Sequence, residues 1–275
     1  MKRAIVFAGL LLLAGCGRDD GPHPWLGYVE GEDAFIAAPQ AGWVARLAVK
    51  RGDAVKAGDL LFTLDDTNQA SARDQANAAI AVVQGQLVAA KANLVLTQKE
   101  LVRQAALLAA QAGTKQAYDV AKAAYDSAAA QVAQIEAQIA QARASLTGAA
   151  YQLSERDVIA RTAGRVEDVY FRTGEYAPAM TPVVSVLPPE NIYVRFFVPE
   201  GEFAHVRLGQ RVAISCDGCA QNIVAMITFI AQQEEFTPPV IFSIGSREKL
   251  VFKLEARASG GLRLNPGQPV DVRPL

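Results

Sequence analysis

The 275-residue chain is short of the residues that build most catalytic and nucleic-acid-binding sites. It has two histidines and three cysteines, and aromatic residues make up only 7% of it. Its net charge of −1 lacks the basic excess that a phosphate backbone demands, so no nucleic acid partner is expected. No Ser-His-Asp set, GxxxxGK[ST] loop or paired metal-ligand motif stands out. The expectation is therefore no catalytic residue, no cofactor and no metal: the chain does not read as an enzyme. Proline is missing from residues 67–153, and glycine occurs there only at 85, 113 and 148. That absence argues against turns and strands in the middle of the chain and favours helix.

What is present begins with a processing signal. Lys2 and Arg3 form a positive stretch, and Ala4 to Ala14 is an apolar run of 11 residues, too short to span a bilayer. The run leads into Leu13-Ala14-Gly15-Cys16, which resembles the lipobox of bacterial lipoproteins. The resemblance implies lipidation of Cys16 and loss of residues 1–15 as a signal peptide. Anchoring would be firm, since each buried methylene contributes about 0.8 kcal/mol. The alternative is an ordinary signal peptide followed by an incidental cysteine. Lipidation would leave Cys216 and Cys219 as an even pair in an oxidising compartment. They flank Asp217-Gly218, a hairpin-turn dipeptide. A small disulfide across that turn, a pair of reduced thiols and a metal site all remain open. The metal site suffers because two ligands do not close a zinc shell, and His23 and His205 are the only histidines.

Two stretches of the chain repeat one another at a constant offset of 122 residues. Ala38-Pro39-Gln40-Ala41-Gly42-Trp43-Val44 matches Ala160-Arg161-Thr162-Ala163-Gly164-Arg165-Val166. Arg51-Gly52-Asp53 matches Thr173-Gly174-Glu175, and Leu61-Phe62-Thr63-Leu64 matches Val183-Val184-Ser185-Val186. Each copy reads as short strands joined by turns, with Gly42, Gly52, Gly58, Gly164 and Gly174 marking the turns. Val44, Leu47 and Val49 alternate, as do Leu60, Phe62 and Leu64, so one face of each strand is expected to be buried. A copy of about 30 residues cannot bury a core alone. The two are expected to close into one β-sandwich.

Between the copies the apolar residues fall into heptads. Ile80, Leu87, Leu94, Leu101 and Leu108 are spaced by seven, with Val83 and Ala90 three further on. Tyr118, Tyr125, Val132, Ile139, Leu146 and Leu153 repeat the spacing, with Ala121, Ala128, Ile135, Ala142 and Ala149 between them. A sustained heptad keeps one apolar seam turned to a partner helix. Gly113 suits a helix C′ position and Thr114 the next N-cap, so the stretch divides into two antiparallel helices. At about 40 residues each they would reach roughly 60 Å. A compact helical bundle is the alternative. Val88, Val95 and Val102 form a second row that a two-helix seam does not need; it is either a broader contact within the hairpin or a contact with a neighbouring protomer.

The fold class is α+β. Residues 16–35 are expected as anchor and N-terminal strand or linker, and residues 36–65 and 157–188 as a split lipoyl-like domain. Residues 66–156 would form the coiled-coil hairpin and residues 189–275 a β-barrel domain. A lipoyl or biotinyl carrier would need a modifiable lysine on the turn between its halves. Leu64-Asp65-Asp66-Thr67 holds none, and Lys50 and Lys56 lie in strand and turn of the first copy.

This order of half motif, hairpin, half motif and barrel resembles the periplasmic adaptor family, the membrane fusion proteins of the HlyD and AcrA type. The tip carries that family's pattern: Arg103, then Leu107 four residues on, then Thr114 seven beyond, followed by Lys115-Gln116-Ala117-Tyr118-Asp119. Ala117 departs from a capping box, which prefers Glu or Gln there. The resemblance implies an adaptor joining an inner-membrane transporter to a TolC-like outer-membrane channel, with Arg103, Leu107 and Thr114 at the channel. It also implies a homo-oligomeric ring of six protomers, lipid-anchored in the periplasm at the inner membrane. The minimal layout leans to an ABC-type transporter over a proton-driven one. Leu275 follows soon after the last expected strand, so a membrane-proximal domain is expected to be missing or minimal. A purely structural, self-associating lipoprotein is the competing reading.

Overall fold

A computed structural model of the chain describes residues 24–219, 223–236 and 250–275. The processing signal and Cys16 lie outside the described residues. The described chain divides into two bodies, Ala34–Val186 and the residues on either side of that span. The first strand, β1 (Trp25–Gly31), belongs to the second body.

Within Ala34–Val186 the first repeat supplies β2 (Ala34–Ala37), β3 (Gly42–Leu47), β4 (Ala54–Val55) and β5 (Leu60–Leu64). Two helices follow, α1 (Thr67–Ala109) and α2 (Lys115–Ser154). The second repeat supplies β6 (Asp157–Ile159), β7 (Gly164–Val169), β8 (Tyr176–Ala177) and β9 (Pro182–Leu187). The strands form two four-stranded sheets, ordered β2-β9-β7-β4 and β6-β5-β3-β8. Each sheet takes two strands from each repeat, and the offset of 122 residues converts one order into the other. The backbone bonds obey the same symmetry. The Val44 N–H donates to the Glu175 carbonyl at 2.8 Å, and the Val166 N–H to the Asp53 carbonyl at 2.8 Å. The amides of Gly174 and Gly52 donate, also at 2.8 Å, to the carbonyls of Val44 and Val166.

The core of this sandwich is correspondingly shared. Val44, Leu61, Phe62 and Leu64 are buried together with their counterparts Val166, Val183, Val184 and Val186. Neither repeat retains a core without the other, because every sheet and every buried layer is mixed. β5 also pairs with β6, Thr63 opposite Asp157, so the two ends of the intervening segment emerge from adjacent strands.

The glycines divide into two kinds. Gly52, Gly58 and Gly174 hold positive φ. Gly42 and Gly164 do not: each opens a strand. A Cβ on Gly42 would lie 2.6 Å from a guanidinium nitrogen of Arg156, whose Nη1 donates to the Ala41 carbonyl at 2.9 Å. Glycine there leaves room for the Arg156 guanidinium and does not serve a left-handed turn. The symmetry also breaks at Met180, which holds φ 59° where the first repeat has Gly58 at φ 94°. A left-handed residue with a Cβ costs about 1–2 kcal/mol. Met180 is exposed and loses little packing on truncation. Met180→Gly is therefore expected to stabilise the sandwich by about 0.5–1 kcal/mol, after the flexibility glycine adds to the unfolded chain. Urea unfolding of the pair of proteins measures it; a lower midpoint for the glycine variant would contradict the account.

The helices pack along the heptad seam. Ile80, Ala121, Ala128, Val132, Ile135 and Ile139 are buried, and Leu87, Leu94, Leu101, Leu108, Tyr118 and Tyr125 are half-buried. Lys91 bridges to Glu136 across the seam at 3.1 Å. With 43 and 40 residues, the helices span roughly 60 Å at about 1.5 Å per residue.

The second body is a closed six-stranded barrel. Its remaining strands are β10 (Ile192–Pro199), β11 (Arg211–Ser215), β12 (Ile223–Phe236), β13 (Leu250–Arg257) and β14 (Pro269–Pro274), with a helical turn α3 (Glu200–Phe203) after β10. β1 closes it by pairing with β10 on one side and β14 on the other. The span 16–35 thus contains a barrel strand, and the barrel does not consist of residues 189–275 alone. On the outer wall Arg195 bridges Glu30 at 2.6 Å and Glu255 at 2.8 Å, tying β1, β10 and β13. The Tyr193 hydroxyl donates to Glu30 at 2.6 Å; burial, and then that bond, push the phenol above its ordinary value.

Candidate functional site at the hairpin tip

Residues 110–114 join the two helices. The end of α1 is built by backbone bonds. The Gln111 N–H donates to the Leu108 carbonyl at 3.0 Å, and the Ala112 N–H to the Leu107 carbonyl at 2.9 Å. Between them Gln111 takes φ 58°. These are the two bonds and the left-handed C′ residue of a Schellman motif. The C′ position therefore falls on Gln111, and not on Gly113 as the sequence suggests. Gly113 serves another purpose: its Cα lies over Leu107, and a Cβ there would stand 3.1 Å from the Leu107 Cβ. Thr114 is extended, and its hydroxyl accepts from the Ala117 N–H at 3.1 Å, capping α2.

This turn leaves the three tip residues in water together. Arg103 and Leu107 are four residues apart on α1 and share one face. Leu107 is 38% exposed, a large apolar side chain kept at the surface. Arg103 is exposed and forms an ion pair with Glu100 one turn back on its own helix. An exposed pair of this kind contributes little to stability, so its guanidinium can exchange partners at small cost. Thr114 is exposed while capping.

The other sequence candidates lie elsewhere. Cys216 and Cys219 are joined by a disulfide across the Asp217-Gly218 turn, their Cα atoms 5.3 Å apart. The Gln268 side-chain amide donates to both sulfurs at 3.5 Å. Lys50 and Lys56 are exposed beside tight turns, with their own backbone N–H groups held by Asp53 and Asp59. Among the described residues no group of three or more His, Cys, Asp or Glu is placed to hold a metal.

An interleaved lipoyl-like sandwich, a long two-helix arm and a six-stranded barrel together make the fold of a membrane fusion protein. Comparison with known proteins agrees: residues 79–155 match the family described as RND MFP, alpha-helical hairpin domain. MacA from Actinobacillus actinomycetemcomitans has the same fold, with a TM-score of 0.71 at 21% identity over 91% of this chain and 77% of that one. The membrane fusion protein Spr0693 from Streptococcus pneumoniae R6 aligns with a TM-score of 0.55 at 21% identity, over 90% of this chain and 99% of that one. In sequence the chain is 30% identical over 129 residues to the UPF0194 membrane protein in the asrC 5′ region of Acidithiobacillus ferridurans, 46% of this chain and 38% of that protein. It is 28% identical over 194 residues to YdhJ of Escherichia coli (strain K12), 70% of this chain and 63% of that protein. The chain thus matches less than two thirds of the length of either curated relative.

Proposed function

We propose that the chain is the periplasmic adaptor of a tripartite efflux or secretion system. It bridges an inner-membrane transporter to a TolC-like outer-membrane channel and is not itself an enzyme. The observation that carries this reading is the tip: Arg103, Leu107 and Thr114 exposed together at the end of a roughly 60 Å arm. The arm's direction is held by the interleaved sandwich, because both of its ends leave from paired strands. Leu107 offers apolar area worth about 1.5–3 kcal/mol when fully buried against a partner. Arg103 offers a planar fork of donors for carbonyls or carboxylates.

In this reading a lipid on Cys16 fixes the base at the inner membrane, and several copies, six by the family's pattern, stand in a ring. The transporter supplies the energy. The pump is of an ABC type or, as the RND name of the matched hairpin family suggests, a proton-driven one. Affinity purification of the full-length chain from cross-linked membranes tests the whole reading. A transporter is expected to come with it, and its class decides between the two pumps; recovery without any transporter would contradict the proposal. Cys16→Ser is expected to yield uncleaved or soluble protein in cell fractionation. Mature, membrane-bound protein from that variant would contradict the lipid anchor.

A further inference from the structure

The root of the arm holds a buried charge without a counter-charge. Arg156 follows the end of α2 and is 7% exposed. Its guanidinium makes one hydrogen bond, from Nη1 to the Ala41 carbonyl at 2.9 Å, and its Nε is buried without a partner. No ion pair among the described residues includes it. The guanidinium closes one end of the sandwich core. Gly42 and the core residue Val44 lie two apart on β3 and share a face. A Cβ on Gly42 would meet Arg156 Nη1 at 2.6 Å and Leu64 Cδ1 at 3.4 Å. The charge therefore stands beside the fully buried Leu64, where apolar core would otherwise continue.

Stability does not explain this choice of residue. Desolvating a guanidinium costs more than one bond to a neutral carbonyl contributes, and an apolar side chain of similar length would close the core with less loss. What the guanidinium adds is a directional bond between the end of α2 and the strand across from it. The start of α1 is tied to the same place. The Asp65 N–H donates to the Trp43 carbonyl at 2.8 Å, and the Leu64 N–H to the Arg156 carbonyl at 2.9 Å. Asp66, the N-cap of α1, makes no side-chain cap bond of its own. Both roots of the arm thus hang on residues 41–43. Over an arm of roughly 60 Å, a turn of about 10° at the root moves the tip by about 10 Å.

We propose that Arg156 is the positioning residue of the arm: its guanidinium, inserted into the end of the sandwich and bonded to Ala41, sets the direction in which the tip points. Gly42 belongs to the same device, because it leaves the space that the guanidinium enters. The consequence for export rests on the adaptor reading; the direction of the arm does not.

The test uses the full chain with nitroxide labels at Lys56→Cys in the sandwich and Gln98→Cys on the arm, both exposed positions. Labelled chains are diluted with unlabelled ones so that only distances within one chain are read, and the chain without the added cysteines gives the background. The parent is expected to show one narrow distance distribution. Arg156→Met, which keeps an unbranched stem and removes the bond, is expected to widen or shift it by about 5 Å or more. Its urea midpoint is expected to stay level or rise, which a merely structural residue would not allow. An unchanged distribution would overturn the proposal, with or without a lower midpoint. Gly42→Ala decides the matter should Arg156→Met fail to fold. The added methyl displaces the guanidinium, the free end of a flexible side chain, and the same widening is expected; an unchanged distribution in that variant would overturn the proposal too. Export by Arg156→Met is expected to fall. A widened distribution with full export would support the positioning role and count against the adaptor reading; lost export with an unchanged distribution would do the reverse.

Discussion

Phe62→Ala is expected to lower the unfolding free energy of the sandwich by about 3–5 kcal/mol, a large part of what a domain of this size holds. Phe62 is fully buried and among the largest side chains that are. It sits on β5, opposite Leu47 of β3 and Val158 of β6, so it faces strands from both repeats. Its counterpart Val184 is also fully buried and smaller, leaving no spare volume from which the cavity could be filled cheaply. Val102→Ala on the exposed side of α1 is the control, expected to change stability by less than about 0.5 kcal/mol. Urea unfolding followed by circular dichroism measures both. A loss under about 1 kcal/mol for Phe62→Ala would mean that the two repeats do not share one core.

Leu107→Asp is expected to abolish export while leaving the protein folded. The side chain is 38% exposed and the rest of it lies under the tip turn, so circular dichroism of the variant checks that both helices stay formed. Against a partner it removes about 1.5–3 kcal/mol of apolar burial and adds a carboxylate that must be desolvated. Together these weaken contact by roughly a hundredfold or more. Arg103→Ala should give a smaller loss, because its guanidinium is exposed and is held within the hairpin by an ion pair to the half-buried Glu100. Thr114→Ala is expected to act mainly through the cap, fraying the first turn of α2 at a cost of about 1 kcal/mol. Site-specific cross-linking to the outer-membrane channel and an export assay check the series. Full cross-linking and export by Leu107→Asp would show that the tip is not the contact.

The sandwich and the hairpin were legible because each rests on a periodicity that burial enforces. A constant offset of 122 residues reappears in strand order, in reciprocal hydrogen bonds and in pairs of buried residues such as Val44 and Val166. The heptads survive because every seam position must meet the other helix. What escaped was geometry that composition does not encode. Gln111 takes the left-handed position at the tip although Gly113 is the better-suited residue, and Gly113 sits instead where a Cβ would crowd Leu107 at 3.1 Å. Gly42 looked like a turn glycine and is a space for Arg156, a contact between residues far apart in sequence. The place of β1 in the barrel was hidden because only Trp25 and Val29 of its seven residues are buried, a spacing of four that alternation does not reveal. The tip residues Arg103 and Leu107 carry no signal of their own beyond exposure at one end of a rod, and only the resemblance to a family singled them out.

Excising residues 67–154 and joining Asp66 to Glu155 by a short turn tests most directly whether the two repeats make one body. β5 and β6 already pair, so a tight connection fits, and the shorter loop lowers closure entropy by about 2–3 kcal/mol. The account predicts a β-rich protein that unfolds in one cooperative transition, with the helical signal gone. A chain that stays unfolded, or whose two repeats melt independently, would contradict it.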